Sequence, residues 1–250
     1  MMLRRDLLLL LLTLSAACRA ASAPPATPPS TPPSAVVPAT PTKDPDSIRW
    51  VRDAAEYRAV VLQTYAVATA HVERAAAGRA AGSWAVVLDA DETVISNLTY
   101  QVERAQAGLG YSAESWGAWV RRRAATPMPG AARFLARVHS LGGRIAIVTN
   151  RLGSECADTE AVFRTYGLAY DMMLCRPDGS PGDKNPRFGA VAAGTTPSGS
   201  PALDIVAFLG DNILDFPSAS QALREKDDSA FDAFGTRYFI LPNPMYGSWQ

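Results

Sequence analysis

Histidine, cysteine and long apolar runs are all scarce in this sequence of 250 residues. Three cysteines are too few for a fold held together mainly by disulfides. The 24 basic and 24 acidic residues cancel, so the chain lacks the basic excess typical of nucleic-acid-binding proteins. Beyond the N-terminus, no stretch approaches the roughly 20 apolar residues that a membrane-spanning helix needs. A hydrophobic fraction of 48% excludes a fully disordered chain, which leaves a globular protein.

The N-terminus has the layout of an export signal. Arg4 and Arg5 precede an apolar segment, and small residues then lead to Cys18. This arrangement resembles the lipobox of bacterial lipoproteins, in which the cysteine carries the lipid. We therefore predict a signal peptide over residues 1–18, lipidation at Cys18, and a membrane-anchored location at the outer membrane or cell surface. A periplasmic or secreted protein without an anchor is the alternative, and the arginine pair also permits twin-arginine export.

The chain then divides into a linker and one domain. Residues 19–45 contain nine of the 19 prolines, mixed with alanine and threonine, and this composition predicts an extended, disordered linker. Residues 46–250 are enough for a single domain. Apolar side chains recur every three or four positions from Trp50 to Val72, which predicts one long helix at the start of that domain.

Beyond this helix, short apolar runs alternate with helical patterns. The predicted strands are Trp84–Leu88, Arg144–Val148, Asp171–Leu174, Ile205–Leu209 and Arg237–Leu241. The predicted helices are Ala131–Leu141, Ser154–Tyr166 and Pro217–Lys226. Apolar strands separated by helices indicate an α/β fold, with a central parallel sheet covered by helices on both faces. In such sheets, ligands bind at the carboxyl ends of the strands.

Polar clusters follow or adjoin these strands. In chain order they are Asp89 with Asp91, Thr149 with Asn150, Lys184, and Asp211 with Asp215. Two carboxylates at one strand end are costly to hold together without a cation or a shared proton, and Mg²⁺ prefers such oxygen ligands. Asp89 could then act as a nucleophile and Asp91 as a general acid and base. Each cluster taken alone also fits an acidic helix start or a charged turn.

The order of the clusters resembles the four signature motifs of the haloacid dehalogenase (HAD) superfamily. Within it, Val87–Tyr100 and Gly210–Phe216 look like the two signatures of bacterial class C acid phosphatases. The tail Leu241–Trp249 is also similar to that family, whose best-known members are surface lipoprotein 5′-nucleotidases. The resemblance covers residues 46–250, with small departures at Ala90 and Ile95. It implies a Rossmann-like fold with a small, mainly helical cap.

The resemblance implies an exported, Mg²⁺-dependent phosphomonoesterase that acts on small phosphate monoesters, with nucleotides preferred. Asp89 would attack phosphorus to form an aspartyl-phosphate, and Asp91 would protonate the leaving alcohol and then activate water. The implied metal ligands are Asp89, the Asp91 backbone carbonyl and Asp211, with Asp215 as a ligand or its neighbour. The implied phosphate-binding residues are Thr149, Asn150 and Lys184. Tyr100 and Tyr246 would stack on a nucleobase.

Two other functions stay open: a broad acid phosphatase without nucleotide preference, and a non-enzymatic surface-binding lipoprotein on the same fold. Cys156 and Cys175 are the only cysteines of the predicted domain. An oxidising compartment would permit a disulfide between them. We favour the competing interpretation, two free buried thiols.

Overall fold

The computed structural model describes residues 43–250, and the structural statements below concern that part of the chain. The predicted signal peptide, the predicted lipidation site Cys18 and all but the last three residues of the predicted linker lie outside the described residues. Among the described helices, none combines the length and the apolar character needed to cross a membrane.

The described residues form seven α-helices, seven strands and several short 3-10 turns. The helices are α1 (Asp46–Asp53), α2 (Ala55–Ala76), α3 (Leu98–Gln106), α4 (Ala113–Arg122), α5 (Ala131–Ser140), α6 (Cys156–Thr165) and α7 (Asn185–Ala193). The strands are β1 (Trp84–Leu88), β2 (Ile95–Ser96), β3 (Thr126–Pro127), β4 (Arg144–Leu152), β5 (Met172–Arg176), β6 (Asp204–Gly210) and β7 (Tyr238–Ile240).

A five-stranded sheet with the order β5-β4-β1-β6-β7 forms the centre, and all of its neighbouring strands are parallel. The predicted α/β fold with a central parallel sheet is therefore confirmed. Every residue of the central strand β1 is buried, and alternate residues contribute to opposite faces. Val86 and Leu88 belong to the apolar layer that includes side chains of α2 and α5. Ala85 and Val87 pack in the layer on the other face, which includes side chains of α7.

The single long helix predicted at the start of the domain is wrong. The chain forms two helices, α1 and α2, because the backbone of Ala54 is extended, with φ −86° and ψ 128°. The apolar stripe continues through this break, since Val51 and Tyr57 are buried on either side of it. Ala54 is neither glycine nor proline, so the apolar periodicity concealed the break. The separate α1 contacts α3.

The helix predicted over Pro217–Lys226 is also wrong. This segment contains only the 3-10 turn Gln221–Glu225, none of whose residues is buried. Ser218 has a positive φ of 57°, a conformation that α-helices do not contain. Without a buried face, an isolated segment of this length gains too little to offset the cost of helix nucleation.

A small, mainly helical insertion between β1 and β4 forms the predicted cap. It consists of α3 and α4 with the antiparallel pair β2–β3. Ser112 caps the start of α4 by accepting a hydrogen bond from the Ser115 backbone N–H. Trp119 and Tyr100 pack inside the insertion with their ring centroids 6.0 Å apart. The cap is therefore anchored by its own aromatic core.

Cys156 and Cys175 form a disulfide, so the two free thiols favoured from the sequence are wrong. The bond joins the first residue of α6 to the fourth of the five residues of β5, with the Cα atoms 6.0 Å apart. The sequence could not show that this helix start and this strand end lie side by side, because that proximity depends on β5 pairing with β4.

Replacing both cysteines with alanine is expected to lower the free energy of unfolding by about 3 kcal/mol, because the cross-link removes the entropy of a loop of this size from the unfolded chain. The two cysteines are 19 residues apart in sequence. Urea unfolding of the wild type and the double variant, each with and without a thiol reductant, measures the effect. A reductant should destabilise only the wild type; equal stability of the two proteins would contradict the expectation.

Candidate active site

Three carboxylates converge where two neighbouring strands end. Asp89 directly follows β1, and Asp211 directly follows β6, which pairs with β1. The Asp89 N–H donates to the Leu209 carbonyl at 3.0 Å, so the chain is still held in register as it leaves the sheet. One carboxylate oxygen from each of Asp89, Asp211 and Asp215 lies within 4.8 Å of the others. The structure thus brings together three of the residues that the sequence singled out.

Gly210 and a short turn determine where Asp215 lies. A Cβ atom on Gly210 would overlap the Asp215 side chain, so only glycine permits this close approach. The 3-10 turn Ile213–Asp215 then returns the chain toward the sheet. The Asn212 N–H donates to Asp215 Oδ2 at 2.9 Å and fixes the direction of the carboxylate.

Lys184 lies between two of the carboxylates. Its Nζ donates to Asp89 Oδ1 at 2.5 Å and to Asp215 Oδ1 at 2.6 Å, and its side chain is 3% exposed. Burial by itself lowers the pKa of Lys184, but Asp215 and Asp89 outweigh it, so the pKa is raised and the ammonium form is favoured. The residue lies just before α7, whose first turn contains Pro186.

The cluster carries more negative charge than Lys184 can neutralise. Burial raises the pKa of Asp89 to about 7, with Lys184 opposing the shift and Asp215 and Asp91 adding to it. Burial also raises the pKa of Asp211 well above its usual range, and the carboxylates of Asp215 and Asp89 add to that shift. Carboxylate oxygens that face one another without enough positive charge match the ligand set that hard divalent cations prefer. The residues present therefore fit a divalent metal ion.

Asp91 lies apart from this cluster, although it is two residues from Asp89. Its side chain forms an ion pair with Arg151, whose Nη2 is 2.8 Å from Asp91 Oδ1, and it accepts a hydrogen bond from Asn97 Nδ2 at 2.8 Å. The three-carboxylate cluster contains no side-chain oxygen of Asp91. For Asp91, the resemblance implies that the backbone carbonyl, and not the side chain, is the metal ligand.

Thr149 and Asn150 lie within β4, not after it as the sequence indicated, because the strand continues to Leu152. Successive side chains of a strand point to opposite faces, so Thr149 and Arg151 are buried whereas Asn150 is exposed. The Asn150 Nδ2 donates to the Gly182 carbonyl at 2.9 Å, and its Oδ1 accepts from Arg187 Nη2 at 2.6 Å. Asn150 thus connects β4 to the loop before Lys184.

A cleft of about 530 Å³ begins at Asp91 and runs between the cap and the C-terminal segment. Its aromatic lining is Tyr111 and Trp116 from the cap side and Tyr246 from the tail. Tyr246 also donates a hydrogen bond through its hydroxyl to Glu92. Asn150 and Arg151 line the same cleft.

Tyr100, which was expected to stack on a substrate, is only 3% exposed and does not line the cleft in this structure. Its ring packs edge-on against Trp116 with centroids 5.3 Å apart, and its hydroxyl hydrogen-bonds to Ser115 Oγ at 2.8 Å. Tyr100 supports the cap from inside and positions Trp116. The sequence alone does not distinguish an aromatic ring that reaches the cleft from one that is buried inside the cap.

Four polar residues at this site were missed by sequence reasoning. They are Glu92, Asn97, Arg151 and Asn243. Asn243 Nδ2 donates to Asp211 Oδ2 at 2.8 Å. Glu92 is fully buried, and this burial, together with the charge of Asp91, raises its pKa to about 8. All four lie in or beside motifs already quoted, but nothing in the sequence shows that these side chains turn inward.

Comparison with known proteins gives concordant results. The family model described as HAD superfamily, subfamily IIIB (Acid phosphatase) matches residues 16–249. The structure of the class C acid phosphatase from Bacillus anthracis matches with a TM-score of 0.70 and 28% sequence identity, covering 82% of this chain and 85% of that one. The crystal structure of that Bacillus anthracis enzyme with tungstate bound matches with a TM-score of 0.69 at the same identity and coverage.

The matched region contains the acidic cluster, Lys184 and the cleft, so the family assignment covers the whole site. HAD phosphatases use a divalent metal, in agreement with the charge of the cluster. The chain belongs to the acid phosphatases of HAD subfamily IIIB, and it is a phosphomonoesterase that acts on small phosphate esters.

Proposed function

We propose that this phosphomonoesterase is exported, depends on Mg²⁺, prefers nucleotides and acts through a phosphorylated Asp89. The observation that carries the proposal is the group of three carboxylates around the buried ammonium of Lys184. A fourth carboxylate, Asp91, lies beside this group at the mouth of an aromatic cleft. Family membership leaves no support for the non-enzymatic alternative.

In the first half of the reaction, an Asp89 oxygen attacks phosphorus, and the bond from phosphorus to the leaving oxygen breaks. Asp91 gives its proton to that oxygen, so the product leaves as a neutral alcohol. In the second half, Asp91 takes a proton from water as the water oxygen attacks phosphorus, which releases phosphate and restores Asp89. Because Asp89 and Asp91 occupy different surroundings, one carboxylate can act as nucleophile while the other exchanges protons.

The remaining residues provide charge. Asp89, Asp211 and Asp215 would hold the Mg²⁺, together with the Asp91 backbone carbonyl. When bound, this ion would stabilise the negative charge that develops on the phosphoryl oxygens. Lys184 holds the nucleophile in place through its ammonium group and offers positive charge to the phosphate beside it. The tungstate complex of the Bacillus anthracis relative shows that a related enzyme binds an oxyanion, which supports phosphate binding here.

The cleft supports a preference for leaving groups that contain a planar ring. Trp116 and Tyr246 both line it, and Tyr111 lies at its edge with 71% of its surface exposed. Aromatic side chains stack on any nucleobase, because every base has a π-face. The same rings would also accept a simple aryl group, so a broad acid phosphatase is the alternative that the substrate ranking has to separate.

Export is supported by one observation within the described residues. Disulfides form and persist in oxidising compartments, and the Cys156–Cys175 bond lies beside the carboxyl edge of the sheet. With the signal-like N-terminus, this favours a protein that acts outside the cytoplasm. We propose a lipid anchor at Cys18, which mass spectrometry of the protein from membranes would detect.

Replacing Asp89 with Asn should lower the release of phosphate from 5′-AMP and from p-nitrophenyl phosphate by on the order of 10⁴-fold or more, because the amide is not a nucleophile. Colorimetric phosphate release measures this. The matched control is Asp204→Asn, at the opposite end of β6, where the carboxylate is exposed and pairs with Arg79. That variant should keep wild-type activity; an active Asp89→Asn protein would refute the nucleophile.

The Mg²⁺ concentration that the enzyme needs for activity is expected to depend on Asn243. EDTA should abolish activity and added Mg²⁺ should restore it. Replacing Asn243 with Ala removes a hydrogen bond to Asp211, so the Mg²⁺ concentration needed for half-maximal activity should rise about 10- to 100-fold. Titration of activity with Mg²⁺ measures this shift. An unchanged titration, or activity that persists in EDTA, would contradict this assignment of the metal site.

Nucleotide preference is expected to depend on the exposed ring of Tyr111. Changing Tyr111 to Ala should raise KM for 5′-AMP about 10-fold, since one stacking interaction is lost. KM for glycerol phosphate, which has no ring, should not change. The control variant is Tyr166→Ala, which removes another exposed tyrosine, located just after α6. If glycerol phosphate is hydrolysed as efficiently as 5′-AMP by the wild type, the broad phosphatase is the better description.

A further inference from the structure

The two carboxylate oxygens of Asp91 accept different numbers of hydrogen bonds from the protein. Its Oδ1 accepts three hydrogen bonds, from Asn97 Nδ2 at 2.8 Å and from Arg151 Nη2 and Nε at 2.8 and 3.0 Å. Its Oδ2 accepts only a longer one, from Arg151 Nε at 3.2 Å. The hydrogen-bonding capacity of Oδ1 is therefore filled by the protein, whereas Oδ2 can still accept hydrogen bonds from a substrate.

Arg151 is fixed on both sides of its guanidinium group. Its Nη1 donates to Thr159 Oγ1 at 3.2 Å, and its Nη2 also donates to Asn97 Oδ1 at 3.0 Å. The side chain is 1% exposed, and the group lies 5.3 Å from the centre of the Trp116 ring. A buried, planar fork of this kind holds a carboxylate in one orientation, which a lysine ammonium would not do.

Asn97 completes the arrangement, and its own orientation is determined by its neighbours. Its Nδ2 donates to Asp91 Oδ1 and to Glu92 Oε2, at 2.8 and 3.1 Å. Its Oδ1 accepts from Trp119 Nε1 at 2.8 Å as well as from Arg151. The amide nitrogen thus faces carboxylates and the amide oxygen faces N–H donors, so the reversed orientation would lose all four bonds.

We propose that Arg151 and Asn97 are positioning residues that hold Asp91 by Oδ1 and so present Oδ2 to the oxygen of the leaving group. The proton given to the alcohol is carried on Oδ2, which accepts only the one longer hydrogen bond from the protein. Asp91 and Arg151 both line the cleft, whereas Asn97 is fully buried and reaches Asp91 from inside the protein. The inference rests on the proposed role of Asp91 as general acid, and it adds the residues that orient this acid.

The dependence of the rate on the leaving group tests the proposal. A p-nitrophenolate leaves without much help from an acid, whereas the more basic phenolate needs a proton as the bond breaks. Phenyl phosphate and p-nitrophenyl phosphate have nearly the same shape, so their binding in the cleft is matched. The value of kcat/KM reports the first half of the reaction, in which the leaving group departs.

Arg151→Lys keeps the buried positive charge but removes the planar fork. We expect kcat/KM for phenyl phosphate to fall about 10²-fold, and that for p-nitrophenyl phosphate to fall less than about 10-fold. Trp119→Phe removes the indole N–H bond to Asn97 together with part of a buried ring, and it carries the test if Arg151→Lys does not fold. Lost packing alone would lower kcat/KM for both substrates alike, so the difference between the substrates reports on the hydrogen bond. Trp119→Phe should lower kcat/KM for phenyl phosphate about fivefold and leave that for p-nitrophenyl phosphate nearly unchanged.

The control is Arg123→Lys, which makes the same substitution in an exposed ion pair with Asp158, without contact to Asp91. Its kcat/KM should equal that of the wild type on both substrates. Asp91→Asn provides the reference pattern. If Asp91→Asn shows the selective loss but neither Arg151→Lys nor Trp119→Phe does, the positioning role is overturned while the proposed function stands. If Asp91→Asn loses equally on both substrates, Asp91 is not the acid, and both claims fall.

Discussion

Three carboxylates, two of them buried, lie with the buried ammonium group of Lys184 at the carboxyl edge of the sheet, and their electrostatic interactions determine how the surrounding residues are arranged. Removing this much charge from water is unfavourable unless the partners are held at contact distance, as Lys184 is held by Asp89 and Asp215. The remaining negative charge favours the binding of a divalent cation. Gly210, the turn after β6 and the loop before α7 are all arranged to make this approach possible. The apolar layers on both faces of β1 provide the rigid support on which the cluster depends.

The proposed chemistry requires that Asp89 and Asp91 have different surroundings. Both follow β1, yet Asp89 contacts the ammonium of Lys184 among other carboxylates, whereas Asp91 contacts a guanidinium and an amide. The first environment suits the proposed nucleophile close to a metal ion, and the second leaves one oxygen with a single longer hydrogen bond, as the proposed proton exchange requires. Arg151, on the neighbouring strand β4, makes this separation possible because it draws the Asp91 side chain away from the cluster.

Patterns that repeat along the chain could be predicted from the sequence, whereas contacts between distant segments could not. The strands are continuous apolar runs, and acidic residues after a buried strand belong at the sheet edge, so the fold and the placement of Asp89 and Asp211 followed from local signals. The break at Ala54 carries no proline or glycine, and the disulfide depends on the pairing of β5 with β4. Tyr100 and Trp116 are both aromatic cap residues, and only packing places the first in the core and the second at the cleft.

Residues that the sequence did not single out connect the cap to the carboxyl edge of the sheet. Asn97 precedes α3, accepts from Trp119 in α4, and holds Asp91 after β1. Trp116, one turn before Trp119, lines the cleft and lies beside the Arg151 guanidinium. The lining of the cleft and the hydrogen bonds to Asp91, the proposed proton donor, are therefore parts of one packed unit. Because Trp116 and Trp119 belong to the same helix, α4, the packing of that helix affects both the lining of the cleft and the hydrogen bond to Asn97.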